Sequence, residues 1–252
     1  MPEKINLAEM TSPEIKSALE SGYNTVVFAV GSIEQHGPCL PVSTDTLLGD
    51  ALAYAVAEKL GNSLKGPTVN MGCSEHHMKF PGTISLGSET LKAVLRDYVG
   101  SLVRHGFRRI VVLPSHGGNF ASVGEVVGEM EGLYDDLELI TFSDLLKFVS
   151  ILQETSAKLG ITPQESGAHA GECEVSMMMW MRGDLVREEL IPEAKGFMGE
   201  FDAEAIKRIF EEGIGALSSI GVLGDPTKSM REHGETYIDD LSAAIVEYIN
   251  SQ

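Results

Sequence analysis

The sequence predicts a three-layer α/β/α fold around a mainly parallel sheet. Three observations carry that expectation. Val26-Val-Phe-Ala-Val30 and Arg109-Ile-Val-Val-Leu113 are short, near-continuous apolar runs, the pattern of strands buried on both faces. Longer segments with helical periodicity separate them. Both runs end in loops rich in His, Glu, Asp and Gly, and open α/β sheets bind ligands at the carboxyl ends of their strands.

The elements follow in order. Ser12 reads as an N-cap with Pro13 at the first helical position. The strand at 25–30 leads into a loop and then a helix from about Asp45 to Leu60, with Leu48, Leu52 and Val56 on one face. A weak strand is expected near 67–71, a loop at 73–87, an amphipathic helix at 88–104 and the second buried strand at 109–113. Helix 120–134, strand 137–142 and helix 144–159 continue the alternation. An irregular segment at 161–171 precedes a Met-rich helix at about 172–181, whose Met stripe reads as gap-filling core or subunit interface. A helix near 202–212, a short strand near 218–223, the turn Gly224-Asp-Pro226 and a C-terminal helix complete a single expected domain, 1–252.

The 252 residues carry a formal net charge of −18, which argues against a nucleic-acid or anionic-membrane partner because both need clustered Lys and Arg. A small-molecule substrate is the expected partner. Cys39, Cys73 and Cys173 are scattered without CxxC spacing, so neither a disulfide framework nor a thiolate zinc site is indicated. Met1-Pro-Glu-Lys4 shows no signal-peptide core, and no apolar run reaches membrane-spanning length. A cytoplasmic location is the expectation.

The chemistry concentrates in Gly31-Ser-Ile-Glu34-Gln-His36-Gly37, followed by Thr44-Asp45-Thr46. Glu34 and His36 project to one side of an extended segment, and Asp45 returns from the start of the next helix. Glutamate, histidine and aspartate converging at a strand end suit a divalent metal. His116, at the end of the second strand, precedes Gly117-Gly118-Asn119 and a helix start, where backbone can approach a ligand closely. Duller readings exist for each: Asp45 or Thr44 as an N-cap, Glu34 as a solvated carboxylate, and 116–119 as a plain turn with Asn119 as N-cap. Their joint placement at predicted sheet ends outweighs those readings. His169-Ala-Gly171-Glu172-Cys-Glu174 is a third candidate, in which His169 and Glu172 would share a helix face. His76 and His77 would point apart on an extended chain, so at most one would face the site. His105 and His233 read as structural.

These blocks resemble the creatininase family of amidohydrolases. The match rests on 31–37 with Leu40-Pro41 and 44–46, then Phe80-Pro81-Gly82-Thr83-Ile-Ser-Leu86, His116-Gly-Gly-Asn119, His169 through Glu174, and Gly224-Asp-Pro226, in order from about residue 7 to 240. The resemblance implies an α/β/α domain, a homo-oligomer (usually a hexamer) and two divalent metals, with Fe(II), Zn and Mn all suited to such ligands. It implies Glu34 and His116 on one metal, His36 on the other and Asp45 bridging them. It also implies His169 as the residue that contacts substrate and moves protons, and Ser74 as a substrate contact. Gly117 and Gly118 stand where creatininase has an aromatic residue and a metal-binding glutamate. Glu174 or Glu172, water, or weak binding must then serve the second metal. Glu165 stands where a tryptophan closes the creatinine pocket, and the only tryptophan is Trp180 in a helix expected to be buried.

Family members with His-Gly-Gly-Asn and His-Ala-Gly-Glu look closer. One such group, with archaeal members, removes a formyl group from a ribosylaminopyrimidine monophosphate. The resemblance thus implies metal-assisted hydrolysis of a non-peptide C–N bond by a deformylase, with creatinine hydrolysis as the alternative. From another class, the rival is a non-catalytic metal- or ligand-binding protein. His169, Glu172 and Glu174 are the expected proton-handling groups, and Ser74, Gly117, Gly118 and Asn119 the substrate contacts.

Overall fold

The computed structural model describes residues 4–252, so the first three residues of the expected domain and N-terminal segment lie outside it. The elements are α1 (Ser12–Glu20), β1 (Thr25–Val30), α2 (Thr44–Leu60), β2 (Ser63–Lys65), α3 (Ser88–His105), β3 (Arg109–Pro114), α4 (Phe120–Met130), β4 (Glu138–Thr141), α5 (Leu145–Lys158), α6 (Pro163–Ser166), α7 (Glu172–Arg182), α8 (Ala203–Glu212) and α9 (Arg231–Asn250), with short 3-10 turns between them. All four strands are parallel, in the order β2-β1-β3-β4.

Side-chain alternation along β1 divides the core into two layers. Val26, Phe28 and Val30 face α1, α3 and α4, and meet Leu91, Leu95, Val99, Val123 and Val126. Val27 and Ala29 face the other way, onto Leu52, Val56, Leu241 and Ile245 of α2 and α9, with Ile151 of α5. The fold is therefore the expected α/β/α sandwich. A third cluster joins Met177 and Met178 of α7 to Tyr237 and Ile238 of α9, which assigns the Met stripe to the core. Trp180 is only half-buried, on the outer side of α7 beside Tyr54. Among the described residues no helix is long and apolar enough to cross a membrane.

Two expected strands are not strands, and both have local causes. Pro67 offers no N–H for the ladder, so β2 stops at Lys65 and the chain returns to β1 only at Val69, which makes a single bridge to Val30. In the 218–223 segment Gly221 takes a positive φ of 78°. Leu223 then makes a single bridge, donating its N–H to the His169 carbonyl and accepting that of Ala168, both at 2.8 Å. The first helix is capped one residue earlier than expected: Thr11 and Glu14 form a reciprocal capping box and Pro13 sits at the second helical position. Helix α4 ends at Met130, short of residue 134, before Gly132 at φ 72°.

The register Val30↔Pro114 brings β1 and β3 to one edge together. Asn119, fully buried, locks that edge. Its side-chain N–H groups donate to the carbonyls of Val30 (3.0 Å) and Gly31 (2.9 Å), and its carbonyl accepts the Cys73 N–H (2.9 Å). Asn119→Ala leaves the Gly31 carbonyl and the Cys73 N–H unpaired, while the Val30 carbonyl keeps the Ser115 N–H (3.1 Å), and an unsatisfied buried polar group costs about 1–3 kcal/mol. Urea unfolding should show a loss on the order of 3 kcal/mol. A loss below about 0.5 kcal/mol would mean that the edge is held elsewhere.

Candidate metal centre

Glu34 and His36 lie just past β1, His116 just past β3, and Asp45 in the first turn of α2. All four are buried. Asp45 does not cap its helix: Ser43 occupies the cap position. The Asp45 carboxylate instead turns inward, with Oδ1 3.2 Å from His36 Nε2 and Oδ2 3.2 Å from His116 Nδ1. Glu34 Oε2 is also 3.2 Å from His116 Nδ1.

Backbone carbonyls fix the two imidazoles. His36 Nδ1 lies 3.1 Å from the Glu34 carbonyl, and His116 Nε2 lies 3.1 Å from the Cys73 carbonyl. A carbonyl only accepts, so each of these nitrogens carries the proton. The opposite ring nitrogens then aim lone pairs at carboxylate oxygens, which is repulsive unless a cation lies between them. Glu34 Oε1 and Asp45 Oδ2 are moreover buried without a hydrogen-bond partner. Burial works against charging His36, yet Asp45, Glu174 and Glu34 hold its pKa up at about 10. His116 is also held well above its ordinary value, against its burial, by Glu34 and Asp45. Burial pushes the Glu34 carboxyl up, whereas His36 and His116 overcome burial to hold Asp45 well below the usual range. In each case the site calls for positive charge, and these donors fit divalent metals. Among the described residues four donor sets lie close enough to hold an ion: Glu34–Asp45–His116 and His36–Asp45–Glu174, which share Asp45, and Glu34–His36–His169 and Glu34–His76–His77.

Two residue pairs depart from expectation. His169 precedes α7, which begins at Glu172, so no shared helix face exists. Glu172 is held elsewhere, by Ser176 Oγ (2.8 Å), His233 Nδ1 (2.7 Å) and the Tyr237 hydroxyl (2.6 Å). Glu174 takes the inner position, 3.8 Å from His36 Nε2, and accepts the Ala170 N–H. Its burial raises the carboxyl to about 7. His76 and His77, in place of at most one, both border the site, because Glu75–His77 form a 3-10 turn rather than an extended segment. The signal for this was the run Ser74-Glu-His-His itself, misread for its backbone.

Glu34, Asp45, His116 and Glu174 line the floor of a cleft. His169 lines it: Nε2 donates to the Gln35 carbonyl (2.8 Å), and Nδ1 lies 3.6 Å from Glu34 Oε1. Burial, aided by His36, pushes this imidazole well down. Gly117 also lines the cleft. Ser74 and Asn119 do not: Ser74 sits behind His116, its Oγ against Ser32 Oγ and 3.4 Å from His116 Nε2. Gly118 is pressed against Cys73, and Glu165 caps α6 with Thr162 and pairs with Lys228 at 2.7 Å.

A parallel α/β sandwich that gathers such donors at one sheet edge defines a metal-dependent hydrolase. The family model described as "Creatininase: Creatinine amidohydrolase" matches residues 8–249, and the chain belongs to that family of metal-dependent amidohydrolases. It is similar to the mycofactocin precursor peptide peptidase of Mycolicibacterium smegmatis, 31% identical over 232 residues, with 88% of this chain and 83% of that protein covered. It is also similar to the creatinine amidohydrolase of Pseudomonas putida, 25% identical, with 100% and 98% covered. A crystal structure of creatinine amidohydrolase superposes with a TM-score of 0.82 at 24% identity, covering 99% of this chain and 98% of that one. Similar creatininase structures are described as Zn–Zn type and as Mn.

A Cβ at residue 118 would meet the Cys73 carbonyl at 2.2 Å and His116 Nε2 at 2.6 Å, whereas one at 117 meets nothing within 4 Å. Gly118→Ala should therefore displace His116, cost about 1–3 kcal/mol and lower the metal content of purified protein. Gly117→Ala should stay within about 0.5 kcal/mol of wild type. Equal behaviour of the two variants in thermal unfolding and metal analysis would contradict this packing.

Proposed function

We propose that this chain hydrolyses the C–N bond of an acyclic amide, formamide or peptide type, with Glu34, Asp45 and His116 holding one divalent metal and His36, Asp45 and Glu174 a second. The observation that carries this reading is the pair of donor sets sharing Asp45 beneath an open cleft. Zn, Mn and Fe(II) all suit this mixture of imidazole and carboxylate. When bound, such ions polarise a carbonyl and lower the pKa of water from ~15.7 towards about 7.

The protein's own groups do the rest. Glu34 and Asp45 orient the floor, and Glu174 would supply the carboxylate that Gly118 cannot. His169 Nδ1 is the proton carrier: the Gln35 carbonyl holds the opposite nitrogen as donor, so Nδ1 alone can take up a proton and deliver it to the leaving nitrogen. Glu172 serves the position of Glu174 and not proton transfer.

The nucleotide deformylase expected from sequence would need a cation for its phosphate. No Lys or Arg lines the cleft among the described residues, and Asn119 turns inward. Formamide chemistry fits this floor, while a phosphate finds no side-chain cation in the cleft among the described residues. The 31% identical relative named as a peptide peptidase also supports an acyclic amide over creatinine. An assembly of identical chains belongs to the same proposal, with the half-exposed Tyr54 and Trp180 between α2 and α7 as the surface it would cover.

Asp45→Asn should remove both metals in elemental analysis. His169→Ala should retain them and lower kcat by about 10²–10⁴ in amine- or formate-release assays. Loss of metal from His169→Ala would place that residue among the ligands and overturn its assigned role.

A further inference from the structure

The cleft above the metal floor has a composition of its own. One wall is α5, with Phe148, Val149 and Leu152 facing inward; the opposite wall is α8, with Ile206, Ile209 and Phe210. Phe148 is steadied from behind by Phe120, edge-on at 5.4 Å. No Lys or Arg lines this space among the described residues, and the ionisable residues that do belong to the floor and its rim. The apolar lining from α5 and α8 extends past the floor residues that would hold the amide group. Its walls therefore receive the part of the substrate that does not react.

His76 joins the two regions. Its ring stacks on His116 at 5.5 Å with an interplanar angle of 10°, and its other neighbour is Phe210 at 4.8 Å. Unlike His77 and His169, whose ring nitrogens are held by Gln35, the His76 ring has no hydrogen-bond partner among the described residues while it borders the cleft. It offers a polar atom at the boundary between floor and walls, where an amide would meet its substituent.

We infer that the substrate carries a bulky, uncharged, apolar group beside its scissile bond, seated between α5 and α8, with His76 contacting the adjoining polar atom. This rests on the reading that the floor hydrolyses an amide. A charged substituent of either sign, seated between α5 and α8, would be desolvated against apolar walls without a partner. The specificity is thus set mainly by α8, whose Phe210 is 53% exposed and free to vary without disturbing the core.

The test compares binding, by calorimetry, with turnover, by product release, on the full chain loaded with Zn or Mn. The panel is N-formylphenylalaninamide, N-formylleucinamide, N-formylglycinamide and the amide of N-formylaspartic acid. The first two should bind at least tenfold tighter than the last two. Phe210→Ala, and independently Phe148→Ala, should shrink that ratio to below threefold. His76→Ala should weaken binding of all four without removing metal. The expected ratio with no turnover would uphold this inference and sink amide hydrolysis. Turnover without discrimination among side groups, or tightest binding of the acidic amide, would overturn the inference and leave hydrolysis standing.

Discussion

Everything in this site depends on one electrostatic constraint: more buried carboxylate and imidazole lone pairs meet at the sheet edge than their own protons can reconcile. The parallel register of β1 and β3 delivers Glu34, His36 and His116 to the same place, and the first turn of α2 adds Asp45. The carbonyls of Glu34 and Cys73 dictate which ring nitrogens are protonated. The remaining nitrogens therefore face carboxylate oxygens. Burying such charges without compensation is costly. A cation between them is the simplest resolution, and in a family of metal-dependent amidohydrolases that cation is a metal.

The surrounding structure serves to hold this arrangement still. Asn119 ties the ends of β1 to the Cys73 segment, whose carbonyl in turn orients His116. Behind the other metal position, Glu172 is gripped by Ser176, Tyr237 and His233. That network pins the start of α7 against α9 and so fixes Glu174 two residues later. Ala170 adopts a left-handed conformation, φ 52°, uncommon for a residue with a Cβ. Its N–H reaches Glu174 while His169, next to it, is paired to Leu223. His169, the proposed proton carrier, and Glu174 are thus placed by one short, strained segment.

The fold was legible because buried parallel strands announce themselves as unbroken apolar runs, and Val26–Val30 and Ile110–Leu113 do so clearly. The spacing of Glu34, His36 and Asp45, read with His116 at a second strand end, was also enough to anticipate that these four side chains meet. What could not be read were features fixed by tertiary contact. Glu172 and Glu174 are equally acidic and nearly adjacent, and only the position of α9, bearing Tyr237 and His233, separates anchor from ligand candidate. Asn119 reads as a cap by residue type, yet its partners lie 46 to 89 residues away. The pairing of His76 with Phe210 joins segments far apart in sequence, as does the apolar cleft between α5 and α8.

The most direct test is a titration of metal-free full-length protein with Zn²⁺ or Mn²⁺, followed by calorimetry and by amide hydrolysis at each added equivalent. The account predicts saturation at two equivalents per chain, with hydrolysis rising as the second site fills. Saturation at one equivalent, or two equivalents bound without hydrolysis of any acyclic amide, would contradict it.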